Sequence, residues 1–158
     1  MRKDFSKLLH DKMGQDERIV LLTGDLGYGL WDKIKIDFPD RFYNFGSSEQ
    51  LMVGAACGLA TEGLIPVVYS ITPFVLYRPY EFIRNYINHE KIPVKLLGGG
   101  RGQDYGHLGF SHWAEDDKTM IRTFKNIAGY WPTDMLALEK IVDRYLFDGK
   151  PNYLNLSR

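Results

Sequence analysis

The stretch NFGSSEQLMVGAACGLA, residues 44–60, decides how the chain reads. A short apolar strand over residues 42–45 runs into a turn at Gly46, and Ser47, Ser48, Glu49 and Gln50 then open a helix. Ser47 and Gln50 stand at the spacing of a capping box, in which two side chains satisfy backbone N–H groups that a first helical turn leaves unpaired. Glu49 is then an acid in the first turn, at the mouth of a strand–turn–helix unit. The helix behind it is small-sided, with Gly54, Ala55, Ala56, Gly58 and Ala60. Such a helix is predicted to lie close against other backbone or another subunit.

Outward from this unit, apolar runs and helical periods alternate along the chain. Residues 18–23 (RIVLLT) form a continuous apolar run, the mark of a strand buried on both faces. Further strands are predicted at 65–69, 93–97, 127–130 and 152–156. Helices are predicted at 4–13, with Phe5, Leu8, Leu9 and Met13 on one face, and at 30–37, 74–89, 115–123 and 133–146. Thr133 is the expected N-cap of the last. The predicted fold is α/β: three layers, α/β/α, around a six-stranded, mainly parallel sheet, as a single domain over residues 1–158. Ligands of such folds sit outside the carboxyl ends of the strands. Here those are segments 24–29, 46–49, 70–77, 98–112 and 130–132.

Composition narrows the function class. Hydrophobic residues at 44% against 25% charged make the chain globular rather than disordered. Lys and Arg number 20 and Asp and Glu number 20, so no charge bias points to nucleic acid or an anionic membrane. The single cysteine, Cys57, falls in a predicted helix, which argues against a disulfide framework and fits a reducing compartment. Residues 1–18 are amphipathic and charged, without the apolar core of a signal peptide, and no segment approaches a membrane span. The chain reads as cytoplasmic.

Each candidate residue has a plainer alternative. GDLGYG, residues 24–29, is neither G-x-G-x-x-G nor a Gly-Lys-Ser/Thr loop. Asp25 therefore reads first as a turn residue making local hydrogen bonds, with a metal or hydroxyl as the alternative ligand. Glu49 either complements the helix dipole or presents its carboxylate to a ligand at a strand end, and the residues alone leave both open. Phe74, Tyr77 and Tyr80 are core aromatics or a stacking platform for a flat ring. Arg78 and Glu81 between them read as a surface ion pair of little worth. The stretch 98–112, GGGRGQDYGHLGFSH, is too long and glycine-rich for an ordinary crossover. It carries Arg101, Asp104, His107 and His112. Two histidines five apart, with no third ligand at suitable spacing and no nearby cysteine, do not make a zinc site. A polar substrate loop is expected, in which a histidine can hydrogen-bond or transfer a proton near neutral pH.

Taken in order, these segments resemble the pyrimidine-binding domain of transketolase-like thiamine diphosphate enzymes over nearly the whole chain. RFYNFGSSEQLMVGAACGLATEGLIPVVYS is similar to the family block RF-x-N-x-G-x-x-E-Q-x-M-x-x-x-A-x-G-L-A-x-x-G. SITPFVLYRPYEFIRN resembles the aromatic segment that follows it. GFSHWAEDDKTMIRTFKNI resembles the loop with a Thr/Ser-His pair, a Glu-Asp step and a Met-Arg step, and PNYLNLSR resembles the closing strand.

The resemblance implies that Glu49 hydrogen-bonds a ring nitrogen of the cofactor's aminopyrimidine and so activates the thiazolium, which serves as electron sink while a C–C bond breaks. It implies a ring pocket from Phe74 and Tyr77, with Ile71 on the same wall. It places His112 facing the donor substrate, with His107 and Arg101 in the same substrate loop. The family holds Mg²⁺ and the diphosphate on a Gly-Asp-Gly…Asn motif in another domain, and Gly24-Asp25-Leu26-Gly27 lacks the right third residue. The Mg²⁺ ligands are thus expected on a partner chain, with no metal ligands here. The C-terminal transketolase domain is likewise expected outside this chain. The implied protein is a stand-alone C-terminal-section subunit of a split transketolase, in a heterotetramer or dimer with the cofactor between two chains. Phosphoketose transketolases have an Asp where this chain has Leu108 and an Arg where it has Trp131. Those losses imply ketol transfer between sugars other than ordinary pentose phosphates. The competing readings are a beta-type subunit of a 2-oxoacid dehydrogenase or decarboxylase, and a non-catalytic regulatory paralogue. The beta type normally continues into a C-terminal domain, and retained Glu49, Phe74 and His112 speak against the paralogue.

Overall fold

The run RIVLLT forms β1 (Ile19–Thr23), buried along its whole length, in a computed structural model that describes residues 1–158. Its side chains alternate between two cores, because successive residues of a strand point to opposite faces. Val20 and Leu22 pack on one side of the sheet, and Ile19 and Leu21 on the other. That is the physical content of a continuous apolar run: both faces of the strand are covered.

The remaining elements are α1 (Arg2–Gln15), α2 (Asp32–Asp37), β2 (Phe42–Asn44), α3 (Glu49–Thr61), β3 (Ile65–Ile71), α4 (Thr72–Tyr77), α5 (Tyr80–Phe82), β4 (Lys95–Gly99), α6 (Asp117–Arg122), β5 (Ala128–Tyr130), α7 (Met135–Phe147) and β6 (Asn152–Leu156). The six strands lie in the order β2-β1-β3-β4-β6-β5, and every pairing is parallel. Met52 and Val53 of α3, Val75 and Leu76 of α4 and Ile121 of α6 fill one core. Phe5 and Leu9 of α1, Ile34 of α2 and Leu138 and Tyr145 of α7 fill the other. The three-layer α/β/α expectation is met, with a sheet that is wholly rather than mainly parallel. The edge strands β2 and β5 are three residues each.

Four local expectations are corrected. Residues 74–89 do not make one helix. Pro79 has no N–H to donate into a helix and itself leaves helical backbone at φ −94°, ψ 24°; α4 ends at Tyr77, and the chain resumes as α5 and a π-helical stretch, Ile83–His89. The Ser47–Gln50 capping box does not form, since the N-cap of α3 is Ser48 and makes no side-chain cap bond. At α7 the N-cap is Asp134 rather than Thr133, its Oδ1 accepting from the Ala137 N–H at 2.8 Å. Finally, β4 runs through Gly98 and Gly99 instead of ending at Leu97. A Cβ on Gly98 would lie 2.6 Å from Thr72 Oγ1 and 2.8 Å from the Tyr153 hydroxyl, and one on Gly99 would lie 2.7 Å from the Tyr69 hydroxyl. The glycines are bare because tyrosines from neighbouring strands lie over both faces of β4. The rest of the glycine-rich stretch contains two short 3₁₀ turns, Gly106–Leu108 and Phe110–His112.

The cap at α7 carries a prediction. The Ala137 N–H and then the Thr133 hydroxyl hold the Asp134 carboxyl below its ordinary value. A depressed folded-state value means stability that is complete above about pH 4 and is lost as pH falls through the folded value. Asp134→Ala therefore lowers Tm at pH 7, and the gap to the parent chain shrinks in melts at pH 3.

Candidate active site

The chain leaves β1 toward β2 on one side, then crosses back through α3 to β3 on the other. The carboxyl ends of β1 and β3 thus border a crevice at the point where strand order reverses, the place where open α/β sheets bind ligands. Glu49, the first residue of α3, fills that crevice and is 1% exposed. Its Oε1 accepts from the Ser70 hydroxyl of β3 at 2.9 Å. On the β1 side Gly24 makes room, since a Cβ there would lie 3.1 Å from the same oxygen. Glu49 Oε2 accepts from Arg78 Nη1 at 2.7 Å. Glu49 does stand at the positive end of α3, but it is also buried and paired across the site.

Three segments meet in a row from this carboxylate. The Arg78 guanidinium lies over the Phe74 ring, 3.7 Å from its centre. Phe74 meets the His112 ring edge to face at 5.0 Å, and His112 Nδ1 lies 3.0 Å from Ser111 Oγ. A cleft of about 570 Å³ opens beside the row, lined by Glu49, Leu51, Gly54, Arg78 and Phe82 among others.

Other expected site residues fall elsewhere. Ile71 closes β3 just before α4 and is buried. Tyr77 is partly exposed; burial and the Asp116 carboxylate push its phenol up, so its polar neighbours are on the approach to α6 rather than at Glu49. His107 is exposed on the first 3₁₀ turn. Arg101 points inward: Nε donates to Asn155 Oδ1 at 2.8 Å and Nη2 to the Asn155 carbonyl. Asp25 makes local bonds, accepting from Asn44 Nδ2 at 3.0 Å and from the Tyr28 hydroxyl at 2.7 Å, and both hold its carboxyl below the ordinary value. No group of three or more His, Cys, Asp or Glu side chains is placed to hold a metal ion. No helix is long and apolar enough to cross a membrane.

The sequence reading missed Arg78 and Ser70 as partners of Glu49, and Asp117 as the centre of a buried network next to the substrate loop. Arg78 pairs with Glu49, not with Glu81. Its spacing gave a usable signal, because it follows Phe74 by four residues and such residues share a helix face. Asp117 is 4% exposed and gave no such signal. Its Oδ2 accepts from Trp131 Nε1 at 2.7 Å, the Tyr153 hydroxyl at 3.0 Å and Asn155 Nδ2 at 3.0 Å. Asn155 Nδ2 also donates to Thr72 Oγ1 at 2.9 Å. This buried network ties the ends of β6 and β4 to α4 and to the loop that carries Arg101. Burial, with Asp117 next, pushes the Tyr153 phenol well up.

The family model described as the transketolase pyrimidine binding domain matches residues 1–158. A putative transketolase C-terminal section from Methanocaldococcus jannaschii is 32% identical over 159 residues, covering 100% of this chain and 50% of that protein. One of the subunits of an apulose-4-phosphate transketolase from Actinobacillus succinogenes is 34% identical over 120 residues, 76% of this chain and 39% of its own length. Among solved structures, a split-gene transketolase in the form of an inactive beta4 tetramer superposes with a TM-score of 0.86 at 31% identity, over 99% of this chain and 51% of that one. The chain spans about half the length of the curated relatives it matches.

Proposed function

This chain belongs to the transketolase pyrimidine-binding domain family, and on that premise we propose that it supplies Glu49 to activate thiamine diphosphate for two-carbon ketol transfer between sugars, as one subunit of a split enzyme. The observation that carries this reading is the Glu49 carboxylate, buried at the strand-order switch point beside the cleft that Glu49 and Arg78 line, with Oε1 held by Ser70 and Oε2 by Arg78. The residues fit the cofactor's ring. The slot between Glu49 and Phe74 already holds a flat, N–H-bearing group, the Arg78 guanidinium.

Thiamine diphosphate, when bound, supplies a thiazolium that takes up the electron pair as a C–C bond beside a carbonyl breaks. Glu49 holds a proton at a ring nitrogen. Its burial matters because a shared proton in a site closed to water is not lost to solvent, and the bond is stronger at low local dielectric. Phe74 offers the stacking face, Ile71 backs the wall and Tyr77 stands at its rim. Ser111 engages His112 Nδ1, and the other ring nitrogen is the one we assign to an oxygen of the donor sugar. Arg101 acts on the substrate loop through Asn155, and His107 stands at that loop's exposed rim.

Mg²⁺ and the diphosphate belong, in this reading, to a partner subunit. The outer face of α3 is the contact we assign to it. Leu51 is 64% exposed and lines the Glu49 cleft, and two turns further on a Cβ on Gly58 would meet nothing within 4 Å. Part of the small-residue stretch serves the chain itself, since a Cβ on Gly54 would lie 2.9 Å from the Phe82 ring. Leu108 and Trp131 supply neither the Asp nor the Arg of a pentose-phosphate clamp, and Trp131 is tied inward to Asp117. The substrate is therefore proposed to be a sugar other than an ordinary pentose phosphate.

Reconstitution tests the reading. The chain is co-expressed with a candidate subunit carrying a Gly-Asp-Gly…Asn domain and is supplied with thiamine diphosphate and Mg²⁺. A cofactor circular-dichroism band and ketol transfer are expected from the pair and from neither chain alone. Turnover by this chain without a partner overturns the split-enzyme reading.

A further inference from the structure

We infer that Arg78 is a stand-in for the cofactor's ring: it occupies the aminopyrimidine slot of the free chain and must swing out before the ring can enter. The inference rests on the thiamine reading above and adds to it a residue that controls access to Glu49.

Glu49 offers an incoming ring only one oxygen. Oε1 is taken by Ser70 and backed by Gly24. Oε2 accepts instead from Arg78 at 2.7 Å, and Arg78 itself lines the cleft. The same guanidinium lies 3.7 Å above the centre of Phe74. A guanidinium is planar, carries N–H donors in its plane and stacks on aromatic faces. Those are the two contacts that an aminopyrimidine needs from the site, a stack on Phe74 and an in-plane bond to the carboxylate. Ring and guanidinium therefore exclude one another.

Arg78 is also built to leave. It follows α4 directly and precedes Pro79, and its side chain is 43% exposed while that of Glu49 is 1% exposed. Glu49 Oε2 is its sole hydrogen-bond partner in the structure. Departure breaks one charge-assisted bond and one cation–π contact, and the entering ring replaces them with a charge-assisted bond to the same oxygen and an aromatic stack on Phe74. Without the stand-in, a buried carboxylate would face the empty cleft unpaired, which is costly. Arg78 thus keeps the site formed until a ring arrives, and slows or weakens its arrival. The apparent affinity falls by the fraction of chains in which Arg78 has swung out.

The test uses the full chain with thiamine as probe, titrated to millimolar concentration and followed by arginine side-chain NMR. In the wild-type chain the Arg78 Nε–H signal is expected to move to the position of a solvated arginine as thiamine binds. Arg78→Ala is expected to bind thiamine about fivefold to tenfold more tightly, and Glu49→Ala to bind it least. An Arg78 signal that stays fixed while thiamine saturates the site overturns the inference, as does equal or weaker binding by Arg78→Ala. If the variant fails to fold, the wild-type signal alone decides. Thiamine binding that is insensitive to Glu49→Ala, or absent throughout and also absent from the reconstituted pair, sinks the thiamine reading itself. Glu49-dependent binding with Arg78 unmoved sinks only the stand-in.

Discussion

Glu49→Gln, in the chain assembled with its partner, is expected to lower ketol transfer by about 10²–10⁴-fold, the usual worth of a positioned acid or base. The substitution is nearly isosteric. A glutamine oxygen can still accept from the Ser70 hydroxyl, which reaches Oε1 at 2.9 Å in the parent. What is removed is the ability to hold a proton against a ring nitrogen. Arg78 loses its charge partner, but its side chain is 43% exposed and can be solvated. The fold should therefore persist, and the loss should fall on turnover. Steady-state rates of the reconstituted enzyme, with circular dichroism to confirm folding, check it. Activity within tenfold of the parent would show that the carboxylate is structural.

Asp117→Ala is the largest stability effect expected. One oxygen, Oδ2, accepts from Trp131 Nε1, the Tyr153 hydroxyl and Asn155 Nδ2. Removing it strands three donors, two of them on fully buried Tyr153 and Asn155. Stranded buried donors each cost about 1–3 kcal/mol, with partial relief where a neighbour can re-pair. Asn155 keeps Thr72 and the Gly100 carbonyl as acceptors, so a total of about 3–5 kcal/mol is expected. For a chain of this size that is a fall in Tm of about 10 °C. Urea unfolding should show a lower midpoint with an unchanged slope. Asp117→Asn, which retains an acceptor oxygen, should cost less.

The sheet was legible because burial on both faces leaves a local trace. RIVLLT and PVKLL need no distant information to be read as covered strands. Glu49 was legible as a residue of interest, from its place at the start of a small-sided helix, though not as a buried one. Arg78 was misread because sequence spacing offers only near neighbours. Glu81 lies three residues away, whereas the true partner lies 29 residues back across the switch point. The Asp117 network has the same character: Tyr153 and Asn155 reach it from β6 and Trp131 from the residue after β5. The break after α4 was available in the sequence as Pro79, but Phe82, Ile83, Tyr86 and Ile87 beyond it carry a helical spacing that outweighed it. The Gly98-Gly99 pair looked like loop because a strand residue without a side chain makes sense only once Tyr69 and Tyr153 are seen to lie over it.

The lengths of the two outer strands bear on how such chains can associate. β2 and β5 expose only three residues each along the margins of the sheet. A margin that short presents few free amide and carbonyl groups, so it makes a poor template for a strand from a neighbouring molecule. Growth of the sheet sideways, whether into an ordered dimer or into fibrils, is thereby disfavoured. Association is left to side chains on helical faces, where shape rather than backbone pairing selects the partner.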